Sequence, residues 1–321
     1  MFRTSTDQER LENRPGLRRG GVKQRRHGQA GVSRTSGYLF VGGYAAALVL
    51  LGIVPAAYAV HLAFTTYSGT LTTGNFGDAL NNPFVVPAFE HVGELLGIWL
   101  AIMMVLVVAL ALIVHSLMRR VNSVFRFLFY LPGAFAGAAS VIVWLLVLTP
   151  GTSPFAFILH WLGFHQFTDT VQVGHLPVVF AIMAFWTGAG GWIVIMYGAL
   201  NNIPIELLEA AKLDGASALQ TAIRIKLPLI RRWVEYMLIL CFAAGSQLFV
   251  EPQVLAEATP GYSNTAIYPG NVWSPLQVAY QQAFNLNNFN EASAISVFLL
   301  AAGLIVAVLA VWRGKLFETE R

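Results

Sequence analysis

The fold class this sequence predicts is an all-α integral membrane protein with six transmembrane helices, and three observations predict it. Of its 321 residues, 56% are hydrophobic and 11% charged, whereas soluble domains carry about 25% charge. Six segments, at roughly 38–64, 92–117, 125–148, 177–200, 234–256 and 292–312, supply the apolar run of about 20 residues that a bilayer core needs. The Lys and Arg residues then fall on alternate connections between those segments.

The same numbers exclude other classes. A mean hydropathy of +0.61 rules out a disordered chain. It also argues against a soluble enzyme, because too little polar surface remains to cover such a core. The net charge of +4 and pI of 9.3 do not indicate nucleic acid, since the positive charges sit beside apolar runs. The single cysteine, Cys241, cannot form an internal disulfide or a cysteine metal cluster. No His-x₃-His spacing occurs. His160 and His165 lie five apart in a loop-like stretch, which gives weak grounds for a metal.

Taken in order, residues 1–36 form a basic tail with nine Lys/Arg and three Asp/Glu, leaving 24 charges for the other 285 residues. The tail reads as an orientation signal rather than an anionic-lipid patch, because its charges are spread out. Residues 37–91 hold the first helix and a polar loop, and residues 92–321 a core domain. The first apolar segment exceeds the 7–15 residues of a secretory signal. Ala57-Tyr58-Ala59 resembles a cleavage site, yet the segment reads as a retained span.

After the tail, Arg119, Arg120 and Arg126 flank spans two and three. Lys212, Arg224, Lys226, Arg231 and Arg232 lie between spans four and five, and Arg313, Lys315 and Arg321 follow span six. Connections 65–91, 149–176 and 257–291 contain neither Lys nor Arg. The positive-inside rule therefore predicts a multi-pass protein with both termini in the cytoplasm.

The connection at 201–232 departs from this sparse pattern, with eight charged residues. Its local grammar predicts two short helices. Pro204 suits a first helical position, and Glu206 and Glu209 complement the helix dipole. Asp214-Gly215 breaks the helix, and Ser217 with Gln220 has capping-box spacing. The second helix is predicted to end at Leu227, before Pro228. Leu208, Ala211, Leu219, Ala222 and Ile223 give the pair an apolar side. Such a hairpin is either a protein-binding knob or a solvated amphipathic loop. A DNA-binding helix-turn-helix fits only loosely, since the first helix is acidic.

Glu209-Ala210-Ala211-x-x-Asp214-Gly215-Ala216, followed by Ile225-x-Leu227-Pro228, closely resembles the EAA loop of permease subunits in bacterial binding-protein-dependent ABC importers. The resemblance extends over roughly residues 92–312. Arg126, Tyr130-Leu131-Pro132 and Trp144 are similar to the third span of carbohydrate-type permeases. Gln247-Leu248-Phe249-x-Glu251-Pro252, Asn264-Thr265 and Tyr280-x-x-Ala283-Phe284 resemble the maltose/glycerol-3-phosphate type. Two features depart from the pattern. Ala222 stands where an aromatic is usual, and Thr259-Pro260-Gly261 where Gly-Gly-Pro is usual.

The resemblance implies the type I importer fold, with the loop as a coupling helix docked on a cytoplasmic ATPase dimer. It also implies a second permease subunit, an extracytoplasmic solute-binding protein and a location in the bacterial cytoplasmic membrane. The chain has no Gly-x₄-Gly-Lys-Ser/Thr loop, so ATP and Mg are expected on the partner, and no cofactor on this chain. It is not expected to be an enzyme. Gly215-Ala216-Ser217-Ala218 resembles the serine motif of rhomboid-type proteases, but Ser217 lies among charges with no histidine evidently in reach.

Gln247, Glu251 and Trp186 are the substrate-path candidates. A carboxylate four residues from an amide can hydrogen-bond sugar hydroxyls, and Trp186 can stack a sugar ring. Each also has a structural alternative. Glu251 can be an interfacial carboxylate beside Pro252, and Trp186 a filler between helices. An ion-coupled secondary transporter would instead use Glu94 or Glu251, and less readily Glu235.

Overall fold

The structure, a computed structural model, describes residues 34–116, 119–135, 137–172, 174–258 and 272–314. The basic tail up to residue 33, Thr259-Pro260-Gly261 and Asn264-Thr265 lie outside the described residues. The described residues are helical, with one isolated bridge between Thr65 and Leu71. Five helices are long and apolar enough to cross a bilayer: Val41–Ala63, Val85–Ser116, Leu176–Asn201, Ala218–Glu257 and Phe289–Leu309. A bent pair, Phe127–Phe135 with Ala138–Leu148, is long and apolar enough for a sixth when its two halves are counted together.

Contacts divide the chain into two compact units, residues 1–54 and 55–321. In the first, the helix Arg34–Leu48 runs into a wide turn, Val49–Ile53, and its residues from Val41 onward are exposed. In the second unit, residues 63–91, which the sequence grouped with the first helix, pack with the core domain. Ala63, Ala79, Val85 and Ala88 share a buried cluster with Val278, Ala283, Ala294 and Ile295.

Asparagines close this junction. Asn75 Nδ2 donates to the carbonyls of Ala63 and Thr65 at 2.9 Å, and Asn290 Nδ2 donates to Thr65 at 2.6 Å. They satisfy carbonyls that the end of a helix leaves unpaired. Asn288 starts the last span by accepting from the Glu291 amide at 3.1 Å. The Glu291 carboxylate in turn accepts from Asn82 and Asn288, both at 2.9 Å.

The larger core joins the second, fourth and fifth spans. Leu95, Met103, Phe180, Ile193, Met196, Ile230 and Met237 are fully buried there. The opposite faces, such as Leu304, Ile305 and Val308 on the last span, stay exposed and suit lipid.

The third span was predicted to be one continuous helix. It instead bends by 102°. The helix Arg119–Tyr130 stops at Leu131-Pro132, where proline biases its predecessor away from helical backbone. Gly137, at φ +75°, then turns the chain into Ala138–Leu148. The bend is braced by a close approach to the fourth span. A Cβ built on Gly190 would stand 1.9 Å from the Phe129 carbonyl oxygen. Small residues permit such backbone-to-backbone packing between membrane helices.

A second correction concerns Pro228. It does not end the hairpin's second helix. The helix Ala218–Thr221 passes through a wide turn, Ala222–Lys226, into Leu227–Ser246 without interruption. The Leu227 amide reaches back to the Ala222 carbonyl. Proline removes one donor from the ladder, and the extra residue of a wide turn already shifts the register there, so the helix continues.

The connection 149–176 is held by a capping box. Asp169 Oδ2 accepts from the amides of His165 and Gln166, both at 2.9 Å. Thr170 Oγ1 donates to the Leu148 carbonyl at 3.2 Å, tying the loop to the third span. The rings of His160 and His165 stack at 5.5 Å.

Two outcomes follow from this packing. Gly190→Ala should lower thermal stability in detergent by about 1–3 kcal/mol or more, since backbone must move. Gly191→Ala, with open space at its Cβ, should change it by less than about 0.5 kcal/mol. Backbone amides hold the Asp169 carboxyl below the usual carboxylate range. Its contribution is therefore present at neutral pH and is lost as pH falls below about 4. Hydrogen exchange at Gln166 should accelerate only in that acid range, beyond the intrinsic pH trend.

Candidate functional site

Two regions concentrate the residues that the sequence singles out. The first is the hairpin between the fourth and fifth spans. Its first helix runs Ile205–Leu213, with Pro204 just outside as the flanking residue. The helix ends in a Schellman motif: the Gly215 amide donates to Lys212 at 3.1 Å, and the Ala216 amide to Ala211 at 2.9 Å. Gly215 sits at φ +77°, a left-handed backbone that residues with a Cβ rarely adopt. Ser217 opens the second helix. Its Oγ accepts from the Gln220 amide at 3.2 Å, and Gln220 Oε1 accepts from the Ser217 amide at 2.8 Å. The tight turn is thus fastened from both sides.

Ala211 is buried, and Leu208 and Ala222 are half-buried. Glu209, Ala210, Asp214 and Gly215 are exposed, and Ala216, Ile225 and Leu227 half-buried. Leu219 and Ile223, on the apolar side read from the sequence, are exposed. Leu213 is 89% and Leu219 69% exposed, one on each side of the turn. The tip is therefore an apolar pair on a charged hairpin.

The second region is a break in the fifth span. Gln247 and Glu251 were expected one turn apart on one helix. The helix stops at Ser246, and a new one runs Val250–Glu257. The break lines a cavity of about 310 Å³. Its wall includes Gln247, Phe249 and Glu251, Trp99 from the second span and Thr187 from the fourth. Gln247 Nε2 donates to the Ala243 carbonyl at 3.1 Å, which fixes the amide and leaves its oxygen for an incoming donor. Among the described residues the buried indole N–H of Trp99 has no partner. Gly245 makes room for that ring, since a Cβ there would stand 2.7 Å from it.

Phe249 also lines a neighbouring hollow of about 420 Å³. There the rings of Phe249 and Tyr280 lie 5.3 Å apart, and those of Tyr280 and Phe284 5.0 Å apart. Trp186 stands elsewhere. It is 53% exposed, does not line the cavity, and meets Trp144 edge-on at 6.5 Å. Glu235 is paired with Arg231 at 2.6 Å, and Glu94 is exposed.

Residues 116–318 match the family of binding-protein-dependent transport system inner membrane components, well over half of the chain. The chain belongs to that family. This transport component is 26% identical over 246 residues to the Arabinooligosaccharides transport system permease protein AraP of Bacillus subtilis, covering 75% of each chain. It is 26% identical over 257 residues to the Multiple sugar-binding transport system permease protein MsmF of Streptococcus mutans, covering 78% of this chain and 80% of that one. Its fold is similar to a chain of a bacterial alginate ABC transporter solved with an alginate pentasaccharide-bound periplasmic protein. The TM-score is 0.74 at 17% identity, over 90% of this chain and 98% of that chain.

Sequence reasoning about this permease missed Trp99 as a cavity residue. Its place in the stripe Val92, Leu95, Leu96, Trp99, Met103 reads only as core. It also missed Leu213, whose exposure depends on where the turn points.

Substitutions at the turn should act locally. Gly215→Ala, with open space at its Cβ, should cost about 1–2 kcal/mol through backbone strain. Ser217→Ala should cost about 1 kcal/mol through the lost cap. Both should appear as roughly fivefold to thirtyfold faster amide exchange confined to residues 214–221.

Proposed function

We propose that this chain is the membrane subunit of an ATP-driven importer for a carbohydrate or sugar-phosphate-like solute, forming half of its pathway. The observation that carries this reading is the capped hairpin between the fourth and fifth spans, exposing Leu213 and Leu219 at its tip. Exposed apolar residues on a rigid, charged element mark a docking surface. In a binding-protein-dependent permease the natural occupant is a groove on a cytoplasmic ATP-binding subunit. Glu209, Ala210, Ala211, Asp214, Gly215, Ala216, Ile225, Leu227 and Pro228 are the residues of this coupling element. Hydrolysis, with its ATP and Mg, belongs to that dimeric partner, and this chain is not an enzyme.

The chain sits in the bacterial inner membrane with both termini in the cytoplasm, as the Lys and Arg placement supports. A second permease subunit completes the pathway, and an extracytoplasmic binding protein delivers the solute. The substrates in the names of the two relatives, arabino-oligosaccharides and multiple sugars, support the carbohydrate class. So does the chemistry of the broken span. An anchored amide oxygen at Gln247, the Glu251 carboxylate and the Phe249–Tyr280–Phe284 rings combine hydroxyl-binding groups with flat apolar faces. Interrupted membrane helices are where transporters place their solutes. Trp186 lies outside this cavity, and its exposed ring is a separate candidate for the path.

In a reconstituted complex, Glu209→Ala or a bulky residue at Gly215 should leave ATP hydrolysis running while solute uptake falls. Membrane insertion should be unchanged. Gln247→Ala or Glu251→Ala should raise the arabino-oligosaccharide concentration needed for half-maximal uptake by roughly tenfold, the effect of about one lost hydrogen bond. Uptake driven by an ion gradient alone, without the ATP-binding partner, would overturn the reading.

A further inference from the structure

A polar contact bonds the base of the hairpin's return helix to the body of the permease. Lys226 closes the wide turn that joins this helix to the fifth span. Its Nζ lies 3.1 Å from Nδ1 of His115, at the end of the second span and 111 residues away in sequence. The His115 ring also contacts the backbone of Leu200 and lies 6.0 Å from the Tyr197 ring, both near the end of the fourth span. Three elements therefore meet at one imidazole: the second span, the fourth span and the hairpin's return helix.

The chemistry of the pair is directional. An ammonium can only donate, so Nδ1 must be unprotonated and accept. The ring proton then sits on Nε2. Both side chains are half-buried, where a charge-assisted hydrogen bond is stronger than in water. Among the described residues, Lys212 on the first hairpin helix lies near Lys226, and Tyr197 faces the ring from the fourth span. A protonated His115 would lose the bond and face a second cation.

We propose that His115 is a positioning residue. Its Nδ1 latches Lys226, so that movement of the hairpin is passed to the second and fourth spans, whose Trp99 and Thr187 line the cavity at the broken span. This rests on the reading of the hairpin as the coupling element. The return helix already runs on into the fifth span, and the His115–Lys226 bond adds a direct tie to the ends of the second and fourth spans. The latch makes its return helix move with the helices that shape the pathway. A ligand or partner shifts a distant equilibrium only through contacts that differ between two states.

The test uses the whole transporter complex in vesicles, with Cys241→Ser and Ser246→Cys as background. Ser246 borders the hollowed face beside Gln247. The readout is the labelling rate of that cysteine by a membrane-impermeant maleimide, with and without ATP plus vanadate. His115→Leu and Lys226→Met should each cut the ATP-driven change at least about fivefold, and the double variant should cut it no further. His115→Asn keeps an acceptor at the same position and cannot titrate. It should restore the change.

An unchanged labelling response in His115→Leu, or additive losses in the double variant, overturns the proposal. Glu209→Ala separates the two levels. If it abolishes the response while His115→Leu does not, the latch alone is wrong. If it also leaves the response intact, the coupling role of the hairpin is wrong.

Discussion

One constraint organises this molecule: inside a bilayer, every backbone donor and acceptor must find a partner within the protein. Continuous helices satisfy it at no cost, so each departure from a continuous helix has to be buried, capped or placed beside a cavity. The departures here follow that rule. The bend at Leu131–Gly137 is pressed against the fourth span. The break at Gln247–Phe249 borders a cavity. The wide turns at Met103–Val107 and Ala222–Lys226 keep their ladder bonds with a shifted register. The irregular places are therefore the places where a permease can hold something or bend.

The fourth span bears most of this arrangement. Its Gly190 admits the Phe129 carbonyl and its Thr187 carbonyl lies close to Gly133, so the 102° bend of the third span is packed against it at two places. Its Thr187 and Gly188 wall the cavity at the break in the fifth span. Its far end carries Tyr197 and Leu200, beside His115. One helix thus touches the bend, the cavity and the base of the hairpin, and small residues along it are what allow such close contact.

The hairpin follows a different logic. It is built from local caps, the Schellman bonds at Lys212 and Ala211 and the reciprocal bonds of Ser217 and Gln220. Caps of this kind act within a few residues, so the turn is rigid whatever the helices below it do. A rigid tip on a continuous helix is a lever. Because Leu227–Ser246 continues the return helix past Pro228, displacement at Leu219 is carried down the same rod that ends at Gln247.

The sequence by itself determined the elements whose signals are local or periodic. Apolar runs of bilayer length placed the spans, Lys and Arg sorted their connections, and Asp214-Gly215 with Ser217 and Gln220 marked the hairpin turn. These depend on residues a few positions apart, so they are legible along the chain. The tertiary structure decided what depends on residues far apart. Pro132 and Gly137 turn the third span, and the bend is packed because Gly190 admits the Phe129 backbone from another span. Pro228 fails to stop a helix because a wide turn precedes it. Gln247 and Glu251 share a wall across a break rather than one helical face, with Trp99 and Thr187 brought in from other spans and Trp186 left outside. The meeting of His115 with Lys226 is of the same kind: neither residue carries any sign of the other, because only packing brings them within hydrogen-bond reach.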